Sequence, residues 1–117
     1  MTQKITIYGI KNCDTVKKAL KWLAENNLEY KFHDYKKDGV NEEVLKEFIA
    51  EFSWQKILNQ KSRTWRLLSE ELKPTDQASA IKIMKEQSSI IKRPLIDSGT
   101  NKTLGFDPAE YEQIFNK

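Results

Sequence analysis

Ile5-Thr6-Ile7-Tyr8-Gly9-Ile10-Lys11-Asn12-Cys13-Asp14-Thr15-Val16-Lys17-Lys18-Ala19-Leu20 is the stretch on which the fold turns. Ile5 and Ile7 alternate with polar residues, the pattern of a half-buried strand. Val16, Ala19, Leu20 and Leu23 then recur at i, i+3, i+4 and i+7, the pattern of an amphipathic helix. A short loop containing Gly9 lies between them, and Cys13 falls at or just before the first helical turn. Unpaired backbone N–H groups and the positive end of the helix dipole stabilise an anion there. A thiol at such a place is expected to react as thiolate.

Outward from this stretch, a second alternating run, Tyr30-Lys31-Phe32-His33-Asp34, follows the Glu25-Asn26-Asn27 stop. Strand, helix and strand in that order read as a βαβ unit with parallel strands and a right-handed crossover. Lys36-Lys37-Asp38-Gly39 reads as a loop. A helical middle comes next. Asn41 caps a helix with Glu42 and Glu43 in its first turn, and Leu45, Phe48, Ile49 and Phe52 form its inner stripe. Residues 53–58 read as a second short piece and 65–72 as a third. Pro74-Thr75-Asp76 opens a further helix running to about Gln87, with Ala80, Ile81 and Met84 inward.

The chain then returns to strand. Arg93-Pro94-Leu95-Ile96-Asp97, the turn Ser98-Gly99-Thr100-Asn101 and Lys102-Thr103-Leu104-Gly105-Phe106 predict a β-hairpin with a four-residue loop. Asp107 as N-cap, Pro108 at N1 and Glu110 at N3 start a last helix with a capping box, and Tyr111, Ile114 and Phe115 supply its apolar face. The fold class is therefore α/β, a thioredoxin-like fold: a four-stranded mixed sheet flanked by helices, with a helical insertion over 41–88 inside one domain of 117 residues. Ligands of such sheets gather beyond the carboxyl ends of the parallel strands, where Cys13 lies.

Composition narrows the function. Charged residues are 32% and apolar residues 38% of the chain, a balance that supports one folded core. Twenty basic residues against seventeen acidic ones give a net charge of only +3, with the two signs mixed along the chain, which argues against direct nucleic-acid binding. No apolar run approaches 18 residues, so no membrane span is expected. The Met1-Thr2-Gln3-Lys4 start has no signal-peptide core. One cysteine cannot form an internal disulfide, and one cysteine with one histidine leaves no zinc cluster, so the reducing cytoplasm is the expected compartment and no metal is expected.

Tyr8-Gly9-Ile10-x-x-Cys13-Asp14-Thr15-Val16-Lys17-Lys18-Ala19-x-x-Trp22-Leu23, with Lys92-Arg93-Pro94-Leu95-Ile96 and Leu104-Gly105-Phe106, resembles the arsenate reductase (ArsC)-like family over nearly the whole chain. The branch it resembles is the YffB type, a neighbour of the Spx regulators. The resemblance implies a thioredoxin-like fold with a helical subdomain, Cys13 as the reactive thiol, and Pro94 as a cis-proline facing it with Arg93 close by. Arsenate reductases of this type hold the oxyanion with three arginines. Only Arg93 has a matching position here. Asn59 stands where the second would lie, with Lys61, Arg63 and Arg66 as nearby cations, and the 104–107 stretch has none. Gly9 stands where those enzymes carry a histidine, and Val16 stands where Spx regulators carry the second cysteine of a Cys-x-x-Cys switch.

The residues that carry the chemistry are then Cys13 and Arg93 as the catalytic pair. Asn12, Asp14, Thr15, Lys17, Asn59, Arg63 and Pro94 are the substrate-binding set. Lys17 shares the helical face of Cys13 and favours an anion, while Asp14 opposes it. Arg93 offers a guanidinium fork to a carboxylate or oxyanion. His33 and Trp22, Trp54 and Trp65 read as structural. The expected activity is a monothiol oxidoreductase that needs no cofactor and uses glutathione as co-substrate. Two alternatives stand beside it: an arsenate reductase fed by glutathione and glutaredoxin, and a Spx-like adapter that binds RNA polymerase without catalysis.

Overall fold

The computed structural model describes residues 4–115; the first three residues of the N-terminal reading lie outside it. In chain order the elements are β1 (Ile5–Gly9), α1 (Asp14–Glu25), β2 (Tyr30–Asp34), α2 (Tyr35–Asp38), α3 (Glu42–Phe52), α4 (Trp54–Ile57), α5 (Arg63–Leu67), α6 (Gln77–Glu86), β3 (Leu95–Asp97), β4 (Lys102–Leu104) and α7 (Pro108–Phe115). Two single 3-10 turns, Glu70–Leu72 and Ser88–Ile90, complete the list. The chain divides into two compact units, Met1–Asp34 with Arg93–Lys117, and Tyr35–Lys92.

The first unit holds the sheet, in the order β2-β1-β3-β4. β1 runs parallel to β2, with Ile5 opposite Tyr30 and Gly9 opposite Asp34, and antiparallel to β3, with Tyr8 opposite Leu95. This is the mixed, thioredoxin-like sheet that the alternation of strands and helices requires. Ile5, Ile7 and Ile96 point to one face, where they pack with Ala19 and Leu23 of α1 and Tyr111 and Phe115 of α7. Trp22 and Phe106 stand edge-on to the Tyr111 ring at 5.3 Å each, so Trp22 is a packing residue.

The β3–β4 connection is the four-residue loop expected, residues 98–101, closed by Ser98 N–H donating to the Asn101 carbonyl at 2.8 Å. Both strands are shorter than the sequence predicts, because Gly105 turns at φ +75 and ends β4 after Leu104. Gly105 N–H donates to the Pro94 carbonyl at 2.8 Å, and the Tyr111 hydroxyl donates to the Gly105 carbonyl at 2.6 Å. The capping box at α7 is only half formed. Asp107 Oδ1 accepts from Ala109 N–H at 3.1 Å, while the Glu110 carboxylate instead accepts the hydroxyl of buried Thr103.

The second unit is helical. Asn41 caps α3 through Glu43 and Val44 N–H, and Leu45, Phe48 and Ile49 are buried as expected. Asp76 caps α6 in a reciprocal pair with Ser79. Ile83 joins Ala80, Ile81 and Met84 on the buried side of α6. An antiparallel bridge pairs Leu58 with Ile91, flanked by Asn59 N–H to Ile90 O at 2.7 Å and Lys92 N–H to Ile57 O at 2.9 Å.

Two sequence expectations fail here. The run 36–39 is not a plain loop: Tyr35, buried, starts a single helical turn that Gly39 ends at φ +81. The piece 65–72 is not one helix. Leu68, buried and extended, separates α5, capped by Ser62, from the 3-10 turn at Glu70. A single helical turn is too short to show a period, so pattern cannot distinguish these cases.

Three outcomes test this packing. Tyr111→Phe removes a buried hydrogen bond to Gly105 and should lower stability by about 1 kcal/mol in urea denaturation. Burial, then the neighbouring Glu110 and Asp107 carboxylates, raise the ionisation of Tyr111 above its ordinary value near 10. A raised folded value means that its contribution is complete below about pH 10 and is lost as pH climbs beyond it. Wild type should therefore weaken over that alkaline range more steeply than Tyr111→Phe. On the other unit, hydrogen bonds from Lys85 and then Lys46 hold the Glu42 carboxyl below its ordinary 4.5. That contribution is present above about pH 4.5 and disappears as pH falls through the lowered value, so Glu42→Gln should flatten the acid limb of the pH–stability curve.

Candidate active site

Strand register decides what can meet the thiol. β1 ends at Gly9, level with the end of β2 at Asp34. Continuing the Tyr8–Leu95 pairing by one step sets Pro94 level with Gly9, and the Leu95–Leu104 pairing brings the end of β4 to the same edge. Four chain segments therefore gather at one end of the sheet: the 10–13 loop, the 93–94 dipeptide, Gly105 and the end of β2. This is the carboxyl end of the parallel pair, where α/β sheets hold their ligands.

Cys13 is the N-cap of α1, with extended backbone (φ -119, ψ 124) and its carbonyl accepting from Lys17 N–H at 2.9 Å. N-caps are ordinarily Ser, Thr, Asp or Asn, whose side-chain oxygen accepts from the N–H of the second or third helical residue. Here the position is held by sulfur, which makes no capping hydrogen bond. The donors of Thr15 and Val16 are thus the ones that an anionic sulfur would take up. Cys13 is unpaired and half-buried.

The companions from the sequence divide between the two units. Asn12, in the turn before Cys13, and Asp14, Thr15 and Lys17, in the first turn of α1 and just beyond it, are all exposed. Arg93 is half-buried and Pro94 buried, and the bond between them is cis. These residues share the first unit with Cys13. Asn59 and Arg63 belong to the second. Asn59 Oδ1 accepts from Lys61 N–H at 3.2 Å and its carbonyl accepts from Ser62 N–H at 3.1 Å, so the amide shapes the turn into α5. Arg63 is the exposed first residue of that helix. His33 is half-buried with its ring 5.2 Å from Tyr8.

Two contacts at this edge escape sequence reasoning. Gly105 supplies the N–H that holds the Pro94 carbonyl, and its left-handed backbone is the signal a glycine at a strand end could have offered. Val16, fully buried, lies against Gly9. Among the described residues no group of three or more His, Cys, Asp or Glu is placed to hold a metal ion. Among them, too, no helix is long and apolar enough to cross a membrane.

The sequence pattern of the ArsC family matches residues 8–114. An uncharacterized protein of Haemophilus influenzae is 46% identical over 112 residues, covering 95% of this chain and 98% of its own. A solved YffB protein superposes with a TM-score of 0.89 at 44% identity, covering 93% of this chain and 96% of its own. An arsenate reductase (ArsC) related protein from Brucella melitensis does so at 0.74 and 43% identity, covering 100% and 97%. More distant is the global transcriptional regulator Spx 1 of Bacillus cereus, 23% identical over 112 residues, covering 94% of this chain and 86% of its own. The chain belongs to the ArsC family.

Proposed function

We propose that this protein is a glutathione-dependent monothiol oxidoreductase with Cys13 as its nucleophile. The observation that carries the reading is a half-buried, unpaired cysteine standing as a helix N-cap without a capping bond, in a chain that holds no second cysteine. The Cys13 thiolate attacks one sulfur of a disulfide. A Cys13–sulfur bond forms, the substrate S–S bond breaks, and the other sulfur departs as thiolate. Since nothing in the chain can resolve the mixed disulfide, a glutathione thiolate attacks the substrate-derived sulfur, restores the Cys13 thiolate and leaves a new disulfide in solution. The N–H groups of Thr15 and Val16 stabilise sulfur as it attacks and as it leaves. Arg93 holds an anionic group of the substrate. Such a cycle belongs in a reducing, glutathione-rich compartment, and the cytoplasm is the one we assign.

The Brucella relative's name favours a second reading, arsenate reduction with glutathione or glutaredoxin as donor. Only Arg93 stands at a matching arginine position, and the amide of Asn59 is engaged in its own turn. A regulator acting through a dithiol switch is disfavoured by Val16, which is buried and cannot pair with Cys13.

Intact-mass measurement after incubation with oxidised glutathione tests the reading. The wild type should gain one glutathionyl group, reversible by reduced glutathione, and Cys13→Ser should gain none. Arg93→Leu should slow adduct formation about tenfold, the loss expected for one charge-assisted contact worth roughly 1.5 kcal/mol. A wild type that stays unmodified ends the oxidoreductase reading. Arsenate turnover that disappears in Cys13→Ser would move the assignment to the second.

A further inference from the structure

Gly9 closes β1 and Val16 stands in the first turn of α1, so the two bracket the loop that carries Cys13. A methyl group built on Gly9 would lie 2.8 Å from Val16 Cγ2, well inside the separation of about 3.5–4.0 Å at which carbons pack. Val16 itself is fully buried. Gly9 is not among the glycines with positive φ, so the missing side chain answers a steric demand rather than a torsional one. Counted from Cys13 as N-cap, Val16 is the third helical residue, and its own N–H is one of the two donors available to the capping side chain.

Building on the thiol reading above, we infer that Gly9 and Val16 are a coupled pair of positioning residues for Cys13. The glycine lets the first turn of α1 seat against the end of β1. That seating sets where the Val16 N–H stands relative to the sulfur. A Cβ at position 9 pushes the Val16 side chain and its N–H away together, and trimming Val16 returns the room. Neither residue is charged, so substitutions at 9 or 16 add or remove no charge near the thiol. An effect on the thiol must then pass through backbone placement.

The test is the pH dependence of Cys13 alkylation by iodoacetamide in wild type, Gly9→Ala, Val16→Ala and the double variant, each with a urea curve beside it. Gly9→Ala should displace the rate profile to higher pH by about half a unit. Made on the Val16→Ala background, the same change should leave the profile in place. Val16→Ile crowds the same space from the helix side and should shift the profile in the same sense; it carries the test if Gly9→Ala does not fold. A contact that matters only for stability would move the urea midpoint and not the pH profile, and that result overturns the pairing. So does a Gly9→Ala shift of equal size in both backgrounds. Because alkylation needs no glutathione, a wild type that forms no glutathionyl adduct would remove the oxidoreductase reading without deciding this one.

Discussion

The antiparallel pairing of Tyr8 with Leu95 is the contact on which the rest of the first unit depends. It joins an early strand to a late one, carries Ile96 onto the apolar face shared by Ile7, and delivers the 93–94 dipeptide to the edge where the β1–α1 loop emerges. A slip of one residue would turn Ile96 to the opposite face and take Arg93 away from that edge at the same time. Packing and chemistry are therefore specified by one register. Tyr111 reinforces it from the helix side, since its hydroxyl holds Gly105, whose N–H in turn holds Pro94.

What could be read in advance follows from how far each signal extends along the chain. β1, α1 and β2 were legible because alternation and the 3.6 period persist over enough residues to be counted, and α7 because Asp107 and Pro108 mark its start. The single turn at Tyr35–Asp38 and the break at Leu68 were not, because one helical turn has no period and a buried leucine in an extended link looks like any leucine. The thiol was legible from its uniqueness and its place between strand and helix. Arg93 and Pro94 gained their meaning from family resemblance, and the strand register then set them level with the end of β1. Asn59 and Arg63 rested on resemblance alone and lie in the other unit. The Gly9–Val16 contact joins residues only seven apart, yet it depends on the angle at which helix leaves strand, which no spacing rule encodes.

The two units hold together by different balances. In the sheet unit, aromatic rings of Trp22, Phe106, Tyr111 and Phe115 close over Ile5, Ile7 and Ile96, and large apolar areas leave water. In the helical unit, Phe48, Ile57, Leu58, Met84, Ile90 and Ile91 make the buried interior. The ion pairs at its surface, Glu42 with Lys46 and Lys85, or Glu70 with Lys73, join groups that stay in reach of water and so contribute modestly. Its ends are secured instead by local caps, Asn41 on α3 and the Asp76–Ser79 pair on α6.

The division of the chain at Asp34 and Arg93 bears on how the protein comes into being. β1 and β2 can dock as soon as they are made, but the third strand is separated from them by the whole of Tyr35–Lys92. Closing so long a flexible tether carries an entropic penalty that grows with its length. If the helical unit has already condensed, the tether is short, and the late strand joins a preformed neighbour. A segment that looks like an interruption of the sheet would then act as the device that allows it to be finished during synthesis.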